Sequence, residues 1–159
     1  MNCQVEIMKI LVAVDATETS HHALEKALQL LNLQTATVLL LSVEPPVITT
    51  STSELPGIFG ESPEVAWQEQ VEVMDLEKGR AQTALTWAEN ICKQAGVQFV
   101  VSRMEVGDPK HVICEVAEQE ASNLIVIGTH NKGMIERVFM GSVSDYVVHH
   151  AACPVLVVP

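Results

Sequence analysis

Short apolar runs alternate along this chain with segments whose apolar residues recur at three- and four-residue spacing. Lys9 to Val14 and Thr37 to Val43 are runs of the first kind. The second of them is almost entirely Val and Leu, as a strand covered on both faces requires. Between them, Ala23, Leu24, Ala27, Leu28 and Leu31 share one face of a helix predicted from about Ser20 to Leu31, with Thr19 or Ser20 placed to cap it. A second helical pattern runs from about Glu64 to Ala95, its broad apolar face built from residues such as Val71, Ala81, Ala84, Leu85, Ala88 and Ile91. Gly79 marks a candidate kink in it and Gly96 its end. Val97 to Met104 reads as a third strand. Gly107, Asp108 and Pro109 then form a turn that opens a helix, with Asp108 as N-cap and Pro109 in the first turn, where its missing N–H costs nothing. Val112, Ile113, Val116 and Ala117 face the core from that helix. Asn123 to Ile127 is a fourth strand, and Pro154 precedes a last one, Val155 to Val158.

Strand and helix patterns that alternate in this way predict an α/β domain with a largely parallel sheet. One stretch breaks the alternation. Glu44 to Pro63 carries Pro45, Pro46, Pro56, Gly57, Gly60 and Pro63 among Ser and Thr, which predicts a mobile loop, longer than compact domains keep without a purpose. No internal repeat is visible, and 159 residues fit one domain spanning 1–159.

The most chemically suggestive segment is Gly128 to Ser142, GTHNKGMIERVFMGS. Gly128 follows the fourth strand and lets the chain leave the sheet without a Cβ clash. Gly141 and Ser142 open a helix over Val143 to His150, where Ser142 or Ser144 is placed to cap the first turn. Unpaired N–H groups at such a start attract anions, so the segment reads as a phosphate cradle.

Composition narrows the choice of ligand. The chain is 48% hydrophobic, enough for a sizeable core, and its formal net charge of −11, with few and scattered Lys and Arg, argues against a nucleic-acid surface. A small anion remains compatible, because charges more than roughly 8 Å away are largely screened at physiological salt. Cys3, Cys92, Cys114 and Cys153 show no metal-ligand spacing and read as reduced, mostly packed thiols. With no signal-peptide pattern and no run long enough to span a bilayer, a cytoplasmic, unanchored protein is expected. His149 and His150, like His21 and His22, are adjacent and point apart on a helix, which disfavours a metal site.

From the opening MKILVAVDATETSHHALEKAL, through the central GDP turn, to GSVSDYVVHHAACPVLVVP, the chain resembles the universal stress protein family. The nucleotide-binding subset of that family carries G-x2-G-x9-G-[ST]. Gly128, Gly141 and Ser142 match three of its four positions, and Asn131 stands where the second glycine is expected. The resemblance implies an open five-stranded parallel sheet in the order 3-2-1-4-5 with helices on both faces, and a homodimer formed through the last strand, Val155 to Val158. That order sets the ends of the first and fourth strands side by side at a topological switch point, where open α/β sheets bind ligands.

By position, the resemblance implies an adenine nucleotide, ATP, ADP or AMP, with Mg2+ as a companion of the phosphates. Asp15 and the backbone of Val43 would contact the base, and Ala13 and Ile127 would line its slot. The backbone of Gly128, Thr129, His130, Asn131 and Gly133 would wrap the phosphates, while Gly141, Ser142, Val143 and Ser144 approach from the helix end. Lys132 and Arg137 are the nearest cations in sequence. If the family glycine is left-handed, Asn131 takes that conformation at a cost of roughly 1–2 kcal/mol, about tenfold in affinity.

Three functional classes follow. The leading one is a stress-response regulatory module whose nucleotide acts as a conformational switch read by a protein partner. The second is a slow ATPase or phosphotransferase, although no general base beyond Asp15 is evident and no H-x-G-H or S-G-G-x-D-S signature occurs. The third is a nucleotide-free dimeric interaction protein, which Asn131 alone favours. Asp15 also has a purely structural reading as the cap of a strand-to-helix turn.

Overall fold

A computed structural model describes residues 7–46, 63–129 and 140–159, the stretch 63–78 by its backbone alone. Five strands, β1 (Lys9–Ala13), β2 (Thr37–Glu44), β3 (Phe99–Val106), β4 (Leu124–Gly128) and β5 (Val155–Val158), form one sheet in the order β3-β2-β1-β4-β5. Every pairing is parallel. The helices are α1 (Glu18–Leu30), α2 (Pro63–Gln94), α3 (Pro109–Gln119) and α4 (Ser142–His150).

Alternation along the strands sends side chains to two cores. Ile10, Val12 and Val14 pack with Ala23, Leu24 and Ala27 of α1 and Ala84, Leu85 and Ala88 of α2 on one face. Leu11, Leu39 and Leu41 pack with Ile113, Val116 and Ala117 of α3 and Val147 of α4 on the other. The three central strands β2, β1 and β4 are therefore apolar on both sides, which is why their sequences show no polar alternation. Cys92 is fully buried in the first core, and burial, with Glu89 nearby, pushes its thiol up to about 11. Burial also raises Cys114 and Cys153, so these thiols are held protonated and act as small packed side chains. Cys3 lies outside the described residues.

Several boundaries differ from the expectations, each for a local reason. α1 is capped by Thr17, whose side chain accepts from the Ser20 N–H, rather than by Thr19 or Ser20. α2, expected from about Glu64, starts at Pro63 and runs through Gly79 as one 32-residue helix. It closes at Gly96, whose φ of +81° is the left-handed stop that favours glycine. The Val97 N–H then bonds back to the Cys92 carbonyl, at 3.0 Å, so Val97 belongs to the helix stop and β3 begins only at Phe99. β3 continues past Met104 to Val106 because Glu105 and Val106 stay in register with Val43 and Glu44. Asn123 stands just before β4: its side-chain oxygen accepts from the Lys9 N–H at 2.7 Å, while its own N–H donates to the Lys9 carbonyl at 2.8 Å. The Asp108 cap and Pro109 start of α3 stand as expected. Of the stretch Glu44 to Pro63, Glu44 ends β2 and Pro63 starts α2, and residues 47–62 lie outside the described residues.

Candidate functional site

The strand order puts the carboxyl ends of β1 and β4 next to each other, with α1 leaving one and the chain toward α4 leaving the other. A cleft opens at that switch point. Ala13, Val43 and Ile127 supply apolar walls, Asp15 and Gly128 stand on opposite banks, and Val143 reaches in from the first turn of α4. The cleft thus gathers these six of the expected residues.

The β1 bank is a hydrogen-bonded turn. The Asp15 N–H donates to the Ser20 hydroxyl oxygen at 2.9 Å, and the Ser20 hydroxyl reaches the Ala13 carbonyl at 3.5 Å. The Thr17 N–H and hydroxyl both donate to the same Asp15 oxygen, Oδ1. Asp15 therefore shapes the turn, as its structural reading anticipated. Its second oxygen, Oδ2, has no hydrogen-bond partner among the described residues, and the side chain lines the cleft. One carboxylate oxygen thus closes the turn, and the side chain also borders the cleft.

Gly128 is required by packing rather than by an unusual backbone angle. A Cβ there would lie 2.7 Å from the Thr19 carbonyl oxygen, because the first turn of α1 rests directly on the end of β4. Thr129 departs from expectation. Its side chain is buried and its N–H donates to the Val158 carbonyl at 3.0 Å, so that amide is tied to β5 and is no free donor for a phosphate.

α4 begins at Gly141, which makes no side-chain cap hydrogen bond. The Asp145 N–H is the first to bond back, to the Gly141 carbonyl at 2.9 Å. The amides of Ser142, Val143 and Ser144 precede it and have no intrahelical acceptor. Neither serine caps them. Ser144 is buried and its hydroxyl donates to the Gly141 carbonyl at 3.0 Å, a bond that fixes the helix start without consuming an amide. His130, Asn131, Lys132, Gly133 and Arg137 lie outside the described residues.

Thr17, Thr19, Pro109 and Ile113 line the same cleft and were not anticipated. The signal for Thr17 was the Asp15-x-Thr17 spacing of a side-chain-closed turn. Pro109 and Ile113 follow from topology: a helix that starts where β3 ends begins on the same side of the sheet as the cleft. His149 and His150 turn inward to their own helix, each Nδ1 2.8 Å from a carbonyl, of Asp145 and Tyr146 respectively.

Sheet order, switch-point cleft and helix start together define an open α/β domain of the class that takes a ligand at the carboxyl ends of its strands. The model of the universal stress protein family matches residues 6–159, and the chain belongs to that family. Universal stress protein Sll1388 of Synechocystis sp. is 31% identical, over 94% of this chain and 96% of the relative. Among solved structures, universal stress protein UspA of Lactobacillus plantarum superimposes with a TM-score of 0.73 at 26% identity, covering 96% of this chain and 97% of its own. A universal stress protein family protein of Arabidopsis thaliana, solved with AMP bound, shares the fold at a TM-score of 0.64 and 24% identity, covering 95% of this chain and 90% of that one. Among the described residues, no helix is long and apolar enough to cross a membrane.

Proposed function

We propose that the chain is a regulatory stress protein that holds an adenine nucleotide, ATP, ADP or AMP, in the cleft between β1 and β4. The base occupies the slot of Ala13, Val43 and Ile127, where the free Oδ2 of Asp15 accepts a hydrogen bond from the exocyclic amine. The phosphates lie toward the start of α4, with Mg2+ balancing the charge of the di- and triphosphate. The observation that carries this reading is the uncapped helix start beside an apolar slot with one unengaged carboxylate oxygen. The AMP complex of the Arabidopsis protein supports it. A helix dipole stabilises one favourable charge by roughly 0.3–1 kcal/mol, so micromolar affinity needs several main-chain donors acting together.

Nucleotide acts here as a switch through different affinities for two conformations, one of which a protein partner reads. β5 is the outer strand beyond β4, and Val155, Leu156 and Val157 stay half-buried along it, which suits pairing with a second copy. Isothermal calorimetry with ATP, ADP and AMP tests the reading. A saturable heat with at least one of them is expected, and no heat with any at millimolar concentration overturns it.

A further inference from the structure

A second hollow, of about 550 Å³, lies beside the turn that walls the nucleotide cleft. Asp15 and Thr17 line the cleft, while Ala16 between them lines this hollow together with His21 of α1. The opposite wall is one stripe of α2, Gly79, Arg80, Thr83, Ala84 and Trp87, whose spacing keeps all five on a single helix face. The size falls within the roughly 300–1,000 Å³ of small-molecule sites.

Five observations describe what would fit. A Cβ built on Gly79 meets nothing within 4 Å, so α2 leaves space at its own surface there. His21 stacks on Trp87 with ring centroids 3.8 Å apart and planes at 19°, an aromatic pair whose two members both line the hollow, and the buried Ala84 adds apolar surface. The His21 Nε2 is hidden from solvent and has no hydrogen-bond partner among the described residues, a costly state for a buried polar atom. Arg80, in a chain of net charge −11, makes no ion pair or hydrogen bond among the described residues. The Thr83 hydroxyl donates to the Gly79 carbonyl at 2.7 Å, which leaves its oxygen free only to accept.

We propose that this hollow binds a small planar aromatic anion, a ring bearing a carboxylate or sulfonate, with the ring beside the stacked His21–Trp87 pair and the anionic group at Arg80. The site is separate from the nucleotide cleft and does not depend on that assignment. The test uses 1-anilinonaphthalene-8-sulfonate as probe and its uncharged relative N-phenyl-1-naphthylamine as control, each titrated by fluorescence into the full chain. One saturable site is expected for the sulfonate, unaffected by excess AMP. Arg80→Gln, an exposed change that spares the fold, is expected to weaken the sulfonate about tenfold, the size of a lost charge-assisted hydrogen bond, and to leave the uncharged relative unchanged. Gly79→Leu, which favours helix and fills the space, is expected to abolish both. Sulfonate affinity that stays within about twofold in Arg80→Gln, a shift below any lost charge-assisted bond, overturns the proposal, as does displacement of the probe by AMP.

Discussion

Two helices begin at the same cleft and begin differently. At α1, Thr17 caps the first turn, Asp15 closes the loop before it, and Ser20 stitches that loop to β1. At α4, Gly141 contributes no side chain, and the hydroxyl of Ser144 is spent on a carbonyl. α3, which also starts beside the cleft, is capped by Asp108. Chains satisfy helix starts locally when stability alone is at stake. Among the described residues, the helix start without a side-chain cap is the one at which the proposed function puts the phosphates, and it belongs to the helix that follows the glycine-bearing segment.

The largest expected effect comes from breaking the seat on which the first turn of α1 rests. Gly128→Val drives a side chain into the Thr19 carbonyl. It is expected to cost about 1–3 kcal/mol in urea unfolding, as overpacking does, and to remove AMP binding with it. Making the two helices alike is the sharper test. Gly141→Asp gives α4 both a cap and a negative charge at the phosphate position, so thermal unfolding should move upward while AMP affinity, by calorimetry, falls about tenfold or more. A Gly141→Asp protein that binds AMP as well as the natural chain would show that the α4 start is not the anion site. The smallest effect is expected at the capped partner. Thr17→Val removes the hydroxyl at nearly constant shape and should cost about 1 kcal/mol of stability, with AMP affinity less disturbed than by Gly141→Asp.

Periodicity made most of the architecture readable, because strands buried on both faces and helices with one apolar face leave unlike patterns. The Asp108-Pro109 start of α3 was readable for the same kind of reason, since its chemistry is local. What escaped depended on partners distant in sequence. Gly128 is a glycine because of Thr19, and the Thr129 amide is occupied because of Val158. Even Val97 looks like strand and serves the helix stop, since a carbonyl five residues earlier claims its N–H. The banks of the cleft, Asp15 and Gly128, were visible from strand order implied by family resemblance. The floor contributed by Pro109 and Ile113 needed the placement of α3 in space.

The bond from Thr129 to Val158 hangs the final strand on the first residue past β4. Prising β5 away would strand a buried amide, a penalty of roughly 1–3 kcal/mol. The sheet's outer border and the residue from which the glycine-bearing segment departs are therefore tied by main chain alone, with no side chain between them.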